Sequence, residues 1–461
     1  MKKHRLFLLF PVLFTLSCLT AGDTQTFVFQ DVSIPADLMG MVHAGYANGN
    51  SRRIPEEYTL LDEMGVHWML QDFLWDVIQP HKDTWNWSVH DKYTSDAADR
   101  NKKIMGLLLY DTPWIHGEFN SQTRRYACGH TQRQVNIGIA AGESEISAYC
   151  EYVRETVKRY KGKVSAWGIW NEPNMNNHFW SGTPNEFFAL HKAAAAAIRE
   201  ADPSAVIIGG SLNPGADNNI WTRGLFESGA MDQVDFIAYH PYGNNPEESF
   251  QKYIQFRNYT AMYGFENRIW VTEIGYPLDK GPGGYDSKVR EEFMPEATVK
   301  TITLLAAAGA RHIFWYEMFD YGKNSRANDS EAWFGLVDFD TFIKKGGGQA
   351  YQLCARNFPG KTFRHNLIDL SNVPDTIAAY YFQGADGKHA LVIWDNRPLW
   401  SRQIIVTLPG TNRQVWDIAA CKPASAGESS AYTLQRGAGK SLLFFTWENR
   451  DTSQLPRISG F

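Results

Sequence analysis

The sequence predicts an α/β protein, a (β/α)8 TIM barrel followed by a C-terminal antiparallel β-sandwich domain. Three observations predict it. From Leu38 to Phe358, short apolar runs alternate eight times with longer helical patterns, the signature of parallel strands joined by crossover helices. From about Thr362 the texture changes to short strands separated by turn signals. The first strand–helix junction reads His43-Ala44-Gly45-Tyr46, not the glycine-rich phosphate turn that an open, doubly wound nucleotide-binding sheet carries there.

The expected barrel strands are Leu38 to Ala44, Val66 to Leu70, Ile104 to Leu109, Val164 to Trp170, Ala205 to Gly209, Asp235 to Tyr239, Arg268 to Thr272 and His312 to Tyr316. Their runs are apolar or small throughout, as strands buried on both faces should be. Between them lie the helical patterns Pro55 to Met64, His90 to Asn101, Ser144 to Tyr160, Trp221 to Glu227, Glu247 to Tyr263 and Lys288 to Ala308, and after them Gln349 to Phe358. The best-marked helix opens at Thr183-Pro184-Asn185-Glu186, where a capping Thr, a first-turn Pro and a Glu at the third helical position form a capping box. Asp202-Pro203 stops it. In the last domain, Thr376 to Phe382 and His389 to Trp394 flank the hairpin signal Gly384-Ala385-Asp386-Gly387, and strands at Gln403 to Leu408, Gln414 to Ile418, Tyr432 to Gln435 and Ser441 to Trp447 continue the series. Thr26 to Ala36 reads as a strand that joins a sheet elsewhere.

The N-terminus, Met1-Lys2-Lys3-His4-Arg5 and then an apolar run to Leu16, has the charged and apolar regions of an export signal. The expected division is a signal over residues 1–22, a barrel over 23–358 and a sandwich over 359–461. Cys18 invites lipid attachment, and plain cleavage after Ala21 is the competing reading. Localisation is therefore expected to be periplasmic, extracellular or lipid-anchored at the cell surface. No later run is long and apolar enough to span a membrane. The formal net charge of −5 gives no reason to expect nucleic acid as a partner. Five cysteines are present; Cys128 and Cys150 flank one loop-to-helix segment, and the sequence leaves their pairing open. His116, His130 and His178 are scattered over separate loops, so neither a metal nor an organic cofactor is expected.

The chain is organised around Trp167-Gly168-Ile169-Trp170-Asn171-Glu172-Pro173-Asn174. Pro173 cannot donate to a sheet ladder, so the strand ends at the glutamate. A carboxylate at the C-terminal end of a barrel strand stands where parallel barrels keep their chemistry. A second one, Glu273, follows strand seven. Cleavage of a glycosidic bond needs such a pair, one acid to protonate the leaving oxygen and one carboxylate to attack the anomeric carbon or activate water. The 16 Trp, 21 Tyr and 27 Phe add rings suited to stacking on sugar faces, although packing accounts for part of them.

Trp170-Asn171-Glu172-Pro173-Asn174, His240-Pro241-Tyr242 and Trp270-Val271-Thr272-Glu273-Ile274-Gly275, in this order, resemble the retaining glycoside hydrolases of clan A, and family 39 and its relatives most. The resemblance implies that Glu172 is the acid/base and Glu273 the nucleophile. It implies that Asn171 binds the 2-hydroxyl of the sugar, that Tyr242 orients Glu273, that His240 lines the subsite, and that Trp315 floors it. Many clan members carry an Arg near the end of strand two; this chain reads Trp68-Met69-Leu70-Gln71-Asp72-Phe73 instead. His43, Trp75, Trp114, Asn177 and Trp180 lie in loops on the same edge, as sugar-binding candidates or packing residues. The partner implied is a carbohydrate. The expected activity is retaining hydrolysis of β-glycosidic bonds, with endo action on an exopolysaccharide preferred, exo-β-xylosidase-like action next, and sugar binding on an inactive scaffold as the rival class. Oligomeric state is not legible in the sequence.

Overall fold

The computed structural model describes residues 27–45, 54–117, 119–120, 122, 125–126, 142–175, 178–214, 218–278, 290–320, 330–371, 373–396, 401–435 and 441–460. The predicted export signal, Cys18, Cys128, His130 and Asn177 lie outside the described residues.

Eight parallel strands close into a barrel. They are β1 (Met39–Val42), β2 (Trp68–Leu74), β3 (Lys103–Leu109), β4 (Ala166–Ile169), β5 (Ile207–Leu212), β6 (Phe236–Tyr239), β7 (Ile269–Ile274) and β8 (Ile313–Trp315). Each is followed by a helix: α1 (Ile54–Glu63), α2 (Ser88–Asp99), α3 (Glu143–Arg159), α4 (Pro184–Ala201), α5 (Asn218–Glu227), α6 (Pro246–Ala261), α7 (Met294–Ala307) and α8 (Gly346–Asn357). The capping box at Thr183 is present: its hydroxyl accepts from Glu186 N, and Glu186 accepts from Thr183 N at 2.6 Å.

Alternate residues along the strands fill the barrel, and the others pack under the helices. Trp68, Leu70, Met105, Leu107, Trp270 and Phe314 form part of the interior cluster. Large rings need small residues opposite. A Cβ on Gly40 would collide with the Phe314 ring. At the N-terminal end, Trp68, Trp270 and His312 pack into a plug, with Trp68 edge-on to the other two rings and its centroid 5.1 Å from that of Trp270. Asp37 closes it, accepting from Trp68 Nε1 at 3.0 Å and Lys103 Nζ at 2.7 Å.

Besides the two-stranded pair Phe119–Asn120 and Arg125–Tyr126, the remaining described strands form two sheets. The larger has seven strands in the order Val32–Ser33, Lys361–Arg364, Ile377–Gly384, Lys388–Asp395, Leu442–Glu448, Thr411–Asp417, Lys422–Ser425. The smaller has four: Asp369–Ser371, Arg457–Gly460, Arg402–Thr407 and Ser429–Leu434. Its first pair is parallel, so the sandwich is not antiparallel throughout. Ile393, Tyr381, Phe445 and Trp447 face the smaller sheet, whereas Val392, Phe382, Phe444 and Trp394 face the barrel. Burial on both faces explains the unbroken apolar run Ala390-Leu391-Val392-Ile393-Trp394.

Two contacts seal the seam. Phe358 stacks on Phe382 at 4.1 Å, and buried Glu296 on α7 accepts from Ser441 N at 3.1 Å and Ser441 Oγ at 2.6 Å. The segment expected to join a distant sheet does so: Val32 and Ser33 pair with Phe363 and Thr362. Phe29 behind them stacks on Phe250 of α6 and meets Phe363 and Tyr380 edge-on.

Candidate active site

Glu172 follows β4 and Glu273 lies in β7, both at the C-terminal end of the barrel. The chain leaves β4 in a conformation that side chains seldom adopt. Trp170 has φ 64° and Glu172 has φ 40°, and Ser211 at the bulged end of β5 has φ 48°. Such left-handed residues persist only where their surroundings hold them. Here Trp170 is fully buried between Tyr149 and Trp180, with its indole N–H donating to Phe179 O at 3.0 Å. Glu172 N donates to Ser211 O at 2.9 Å. Asn174 spans to β5 as well, donating to Asn213 O at 2.6 Å and accepting from Asn213 N at 3.0 Å. The turn carrying the glutamate is thus pinned to the next strand.

One oxygen of Glu172, one of Glu273 and a ring nitrogen of His240 lie within 4.8 Å of one another. His240 Nδ1 donates to Glu172 Oε1 at 2.8 Å and lies 3.6 Å from Glu273 Oε2. Its Nε2 meets Thr272 Oγ1 at 2.9 Å and Ser211 Oγ at 3.3 Å. Asn213 Nδ2 also donates to Glu172, at 2.9 Å, and Tyr242 OH donates to Glu273 Oε2 at 2.9 Å. Three such ligand atoms are spaced closely enough to hold a metal ion, but each is engaged in the hydrogen bonds just described.

Burial pushes the Glu273 carboxyl up to about 7. His240 opposes that rise, the charge of Glu172 adds to it, and the Tyr242 hydroxyl and His43 oppose it. Burial disfavours a charge on His240, yet Glu273 and Glu172 outweigh it and raise the imidazole above its ordinary value. Glu273 and His240 therefore titrate as a pair.

The remaining sequence candidates divide. Asn171 is at the mouth, accepting from Ser211 Oγ at 3.4 Å and hydrogen-bonded to Tyr110. His43, after β1, faces the mouth and pairs with Glu317 and Asp72. Trp114 is half-buried with its indole N–H donating to Gln79 O at 2.9 Å. Three assignments need correction. His240 is 1% exposed, so it braces the glutamates from behind instead of lining an open wall. Trp315 has no exposed surface and packs edge-on to Tyr276, which places it beneath the floor. Trp180 is 2% exposed, and its indole N–H is spent on Thr183 O at 3.0 Å, so it packs the loop. Trp75 is likewise buried, with its indole N–H donating to Gln79. His116 is bound to Asp111 at 2.8 Å, and the His178 ring packs on Phe179.

Tyr110, Asn213, Thr272, Ser211 and Glu317 were not singled out from the sequence. All but Glu317 lie in, or one residue beyond, a barrel strand's C-terminal end, where the same position rule finds them. Tyr110 stacks on Phe179 at 5.8 Å, both half-exposed beside Asn171. Behind Glu273, Gly275 lets the chain pass the Tyr316 carbonyl, with which any Cβ would collide.

A closed parallel barrel that brings two glutamates together at its C-terminal end, either side of one histidine, has the site architecture of an O-glycosyl hydrolase. The comparisons agree with that class. Residues 146–269 match the model of the Glycosyl hydrolases family 39. A Beta-xylosidase of Caldicellulosiruptor saccharolyticus is 36% identical over 115 residues, 22% of this chain and 23% of that protein. Endo-1,4-beta-xylanase C of Paenibacillus barcinonensis is 23% identical over 331 residues, 65% of this chain and 28% of that protein. The chain thus spans about a quarter of the length of these curated relatives. Among solved structures, a family 39 glycoside hydrolase of Bacteroides cellulosilyticus WH2 superposes with a TM-score of 0.67 at 17% identity, covering 90% of this chain and 81% of that one. A monomeric beta-xylosidase of Caulobacter crescentus CB15 gives 0.60 at 14% identity, covering 91% and 98%. The chain is similar to the clan A retaining glycoside hydrolases, family 39 among them. The matched segment holds Glu172 and His240 but stops short of Glu273, whose place in the site rests on the geometry.

Proposed function

We propose that this protein is a retaining glycoside hydrolase that cleaves β-glycosidic bonds of an oligosaccharide or polysaccharide by double displacement. The observation that carries the reading is the approach of Glu172 and Glu273 oxygens to within 4.8 Å. Carboxylates about 5–5.5 Å apart suit direct attack on the anomeric carbon, whereas about 6.5–9.5 Å leaves room for a water between base and sugar. Glu273, oriented by Tyr242, attacks and forms the glycosyl ester. Glu172 gives its proton to the leaving oxygen and then takes one from the water that hydrolyses the ester. Asn171 hydrogen-bonds the sugar's 2-hydroxyl.

Endo action on an exopolysaccharide is the preferred version. The half-exposed Tyr110–Phe179 stack beside Asn171 supports an aromatic path leading away from the cut. The relative aligned over the greater length is named an endo-xylanase. The name beta-xylosidase on the relative with the higher identity keeps exo action as the second reading. The charged and then apolar run over residues 1–22 supports export, which cell fractionation tests. The primary test is intact-protein mass spectrometry after incubation with 2-fluoro glycosides of several sugars. An adduct mapped to Glu273 identifies nucleophile and sugar together. If neither 2-fluoro reagents nor a polysaccharide panel scored for new reducing ends shows turnover, while the protein still binds glycan, it is a lectin-like protein on a hydrolase scaffold and the proposal fails.

A further inference from the structure

The ends of β7, β8, β1 and β2 are consecutive around the barrel rim, and each presents a charged side chain there. Glu273 comes from β7, Glu317 from two residues past β8, His43 from one residue past β1, and Asp72 from β2. His43 Nδ1 lies 2.9 Å from Glu317 Oε2, and its Nε2 lies 3.6 Å from Asp72 Oδ2. Both ring nitrogens therefore face a carboxylate, an arrangement that the doubly protonated imidazolium satisfies and a neutral ring, with one bare nitrogen, does not. Glu317 is buried, whereas two-fifths of the His43 side chain (41%) opens to the mouth. The left-handed φ of 50° at His43 sets the ring into the clamp. Ring contacts run on to the nucleophile: His43 meets Tyr316, Tyr316 meets Phe334, Phe334 meets Tyr242, and Tyr242 holds Glu273.

We propose that His43, clamped as an imidazolium between Asp72 and Glu317, is a positioning residue that keeps Glu273 ionised for attack. This rests on the assignment of Glu273 as nucleophile. The groups facing the ring among the described residues are Asp72 on β2 and Glu317 and Tyr316 after β8, with Glu273 at the end of the neighbouring β7 feeling its charge; Glu57 of α1 is turned away to Gly45 N at 2.6 Å. Burial works against a charge on His43, and Asp72 and Glu317 together more than reverse it, raising the imidazole well above its ordinary range. His43 in turn lowers Glu273. His43 thus brings an imidazolium, flanked by two carboxylates, to the rim next to β7 and β8 in a chain that has Gln71-Asp72 at the end of strand two.

Two readouts test it. NMR titration of the His43 ring, which needs no turnover, should give a midpoint above the ordinary imidazole range in the parent protein and a lower one in Asp72→Asn and Glu317→Gln. A ring that is neutral at pH 7 in the parent overturns the proposal. The pH profile of kcat/KM is the second. His43→Gln should move its acidic limb up by about one pH unit, so that the loss at low pH exceeds the loss at high pH about tenfold, and His43→Arg should move it back. An acidic limb that stays in place while kcat/KM falls equally at all pH values assigns His43 a contact role only and overturns the proposal. A parent with a charged His43 but no glycosidase activity supports the clamp as a charged unit and instead rejects the hydrolase reading.

Discussion

His240 Nδ1 stands 2.8 Å from Glu172 Oε1, and both side chains are buried. The acid/base candidate is thus held at one oxygen by a ring that also approaches Glu273. Replacing His240 with Ala should leave two buried carboxylates facing each other without the donor between them. The expected loss in kcat is about 10²–10³-fold, from misplacement of the acid and repulsion within the pair. A kcat within threefold of the parent would remove His240 from the machinery.

Glu172→Ala should cripple hydrolysis of natural glycans, which need a proton on the leaving oxygen, by about 10²–10⁴-fold. Aryl glycosides with good leaving groups need no such proton, so their first step should survive, and added azide should speed release of the intermediate. Steady-state rates on a nitrophenyl glycoside with and without azide, beside reducing-end assays on polymer, read both effects.

The folded-state pKa of Glu273 is raised, to about 7. For a raised acid, the stabilising proton is fully bound below the unfolded value and is lost as pH rises through the folded one. The ionised Glu273 carboxylate is therefore a burden on the fold above pH 7. Glu273→Gln should abolish activity and yet raise Tm at pH 8, by an amount that shrinks towards zero below pH 4.5. Equal Tm at both pH values would show that Glu273 is accommodated without strain.

Asp37 is held below the usual carboxylate range chiefly by its bond to His312, with Lys103 adding to the effect against the cost of burial. A depressed acid stabilises above its unfolded pKa and loses that stability as pH falls. Asp37→Asn should cost about 1–3 kcal/mol at pH 7, because a bond to a charged acceptor is lost beneath the Trp68–Trp270 plug. The difference from the parent should begin to narrow as pH falls below 4 and go on narrowing as far as the acid range can be followed by denaturant unfolding. A pH-independent difference would mean that the side chain's shape, not its charge, matters.

Trp180→Phe separates packing from sugar binding. With the parent indole buried against Trp170 and Phe187, the smaller ring should reduce stability by about 1–3 kcal/mol and leave KM within twofold. A large rise in KM with unchanged Tm would return Trp180 to the sugar-binding residues.

Most of the barrel was legible because its signals are local. The apolar runs fall on all eight strands, and Thr183, Pro184 and Glu186 mark α4 unambiguously. The glutamates were legible because strand ends locate them. What stayed hidden depends on contacts between distant segments. Nothing near His240 in the chain says that its ring turns back to Glu172, because Thr272 and Ser211 on neighbouring strands orient it. Trp180 and Trp315 read as mouth residues because position along the chain does not tell which way a side chain points. In the sandwich, Lys361–Arg364 and Arg457–Gly460 escaped notice because four residues are too few to show a period.

The pairing of Val32 with Phe363 ties a strand ahead of the barrel to the first strand after it. The whole barrel is therefore a loop closed by that ladder, and the edge of the seven-stranded sheet is incomplete until both flanks meet. Contacts of such long sequence separation slow folding and couple distant parts of a chain. Barrel and sandwich should accordingly melt together in a single calorimetric peak. A fragment ending at Phe358 would expose the ring that stacks on Phe382 and lose the strand partner of Val32, so the barrel is not a portable module.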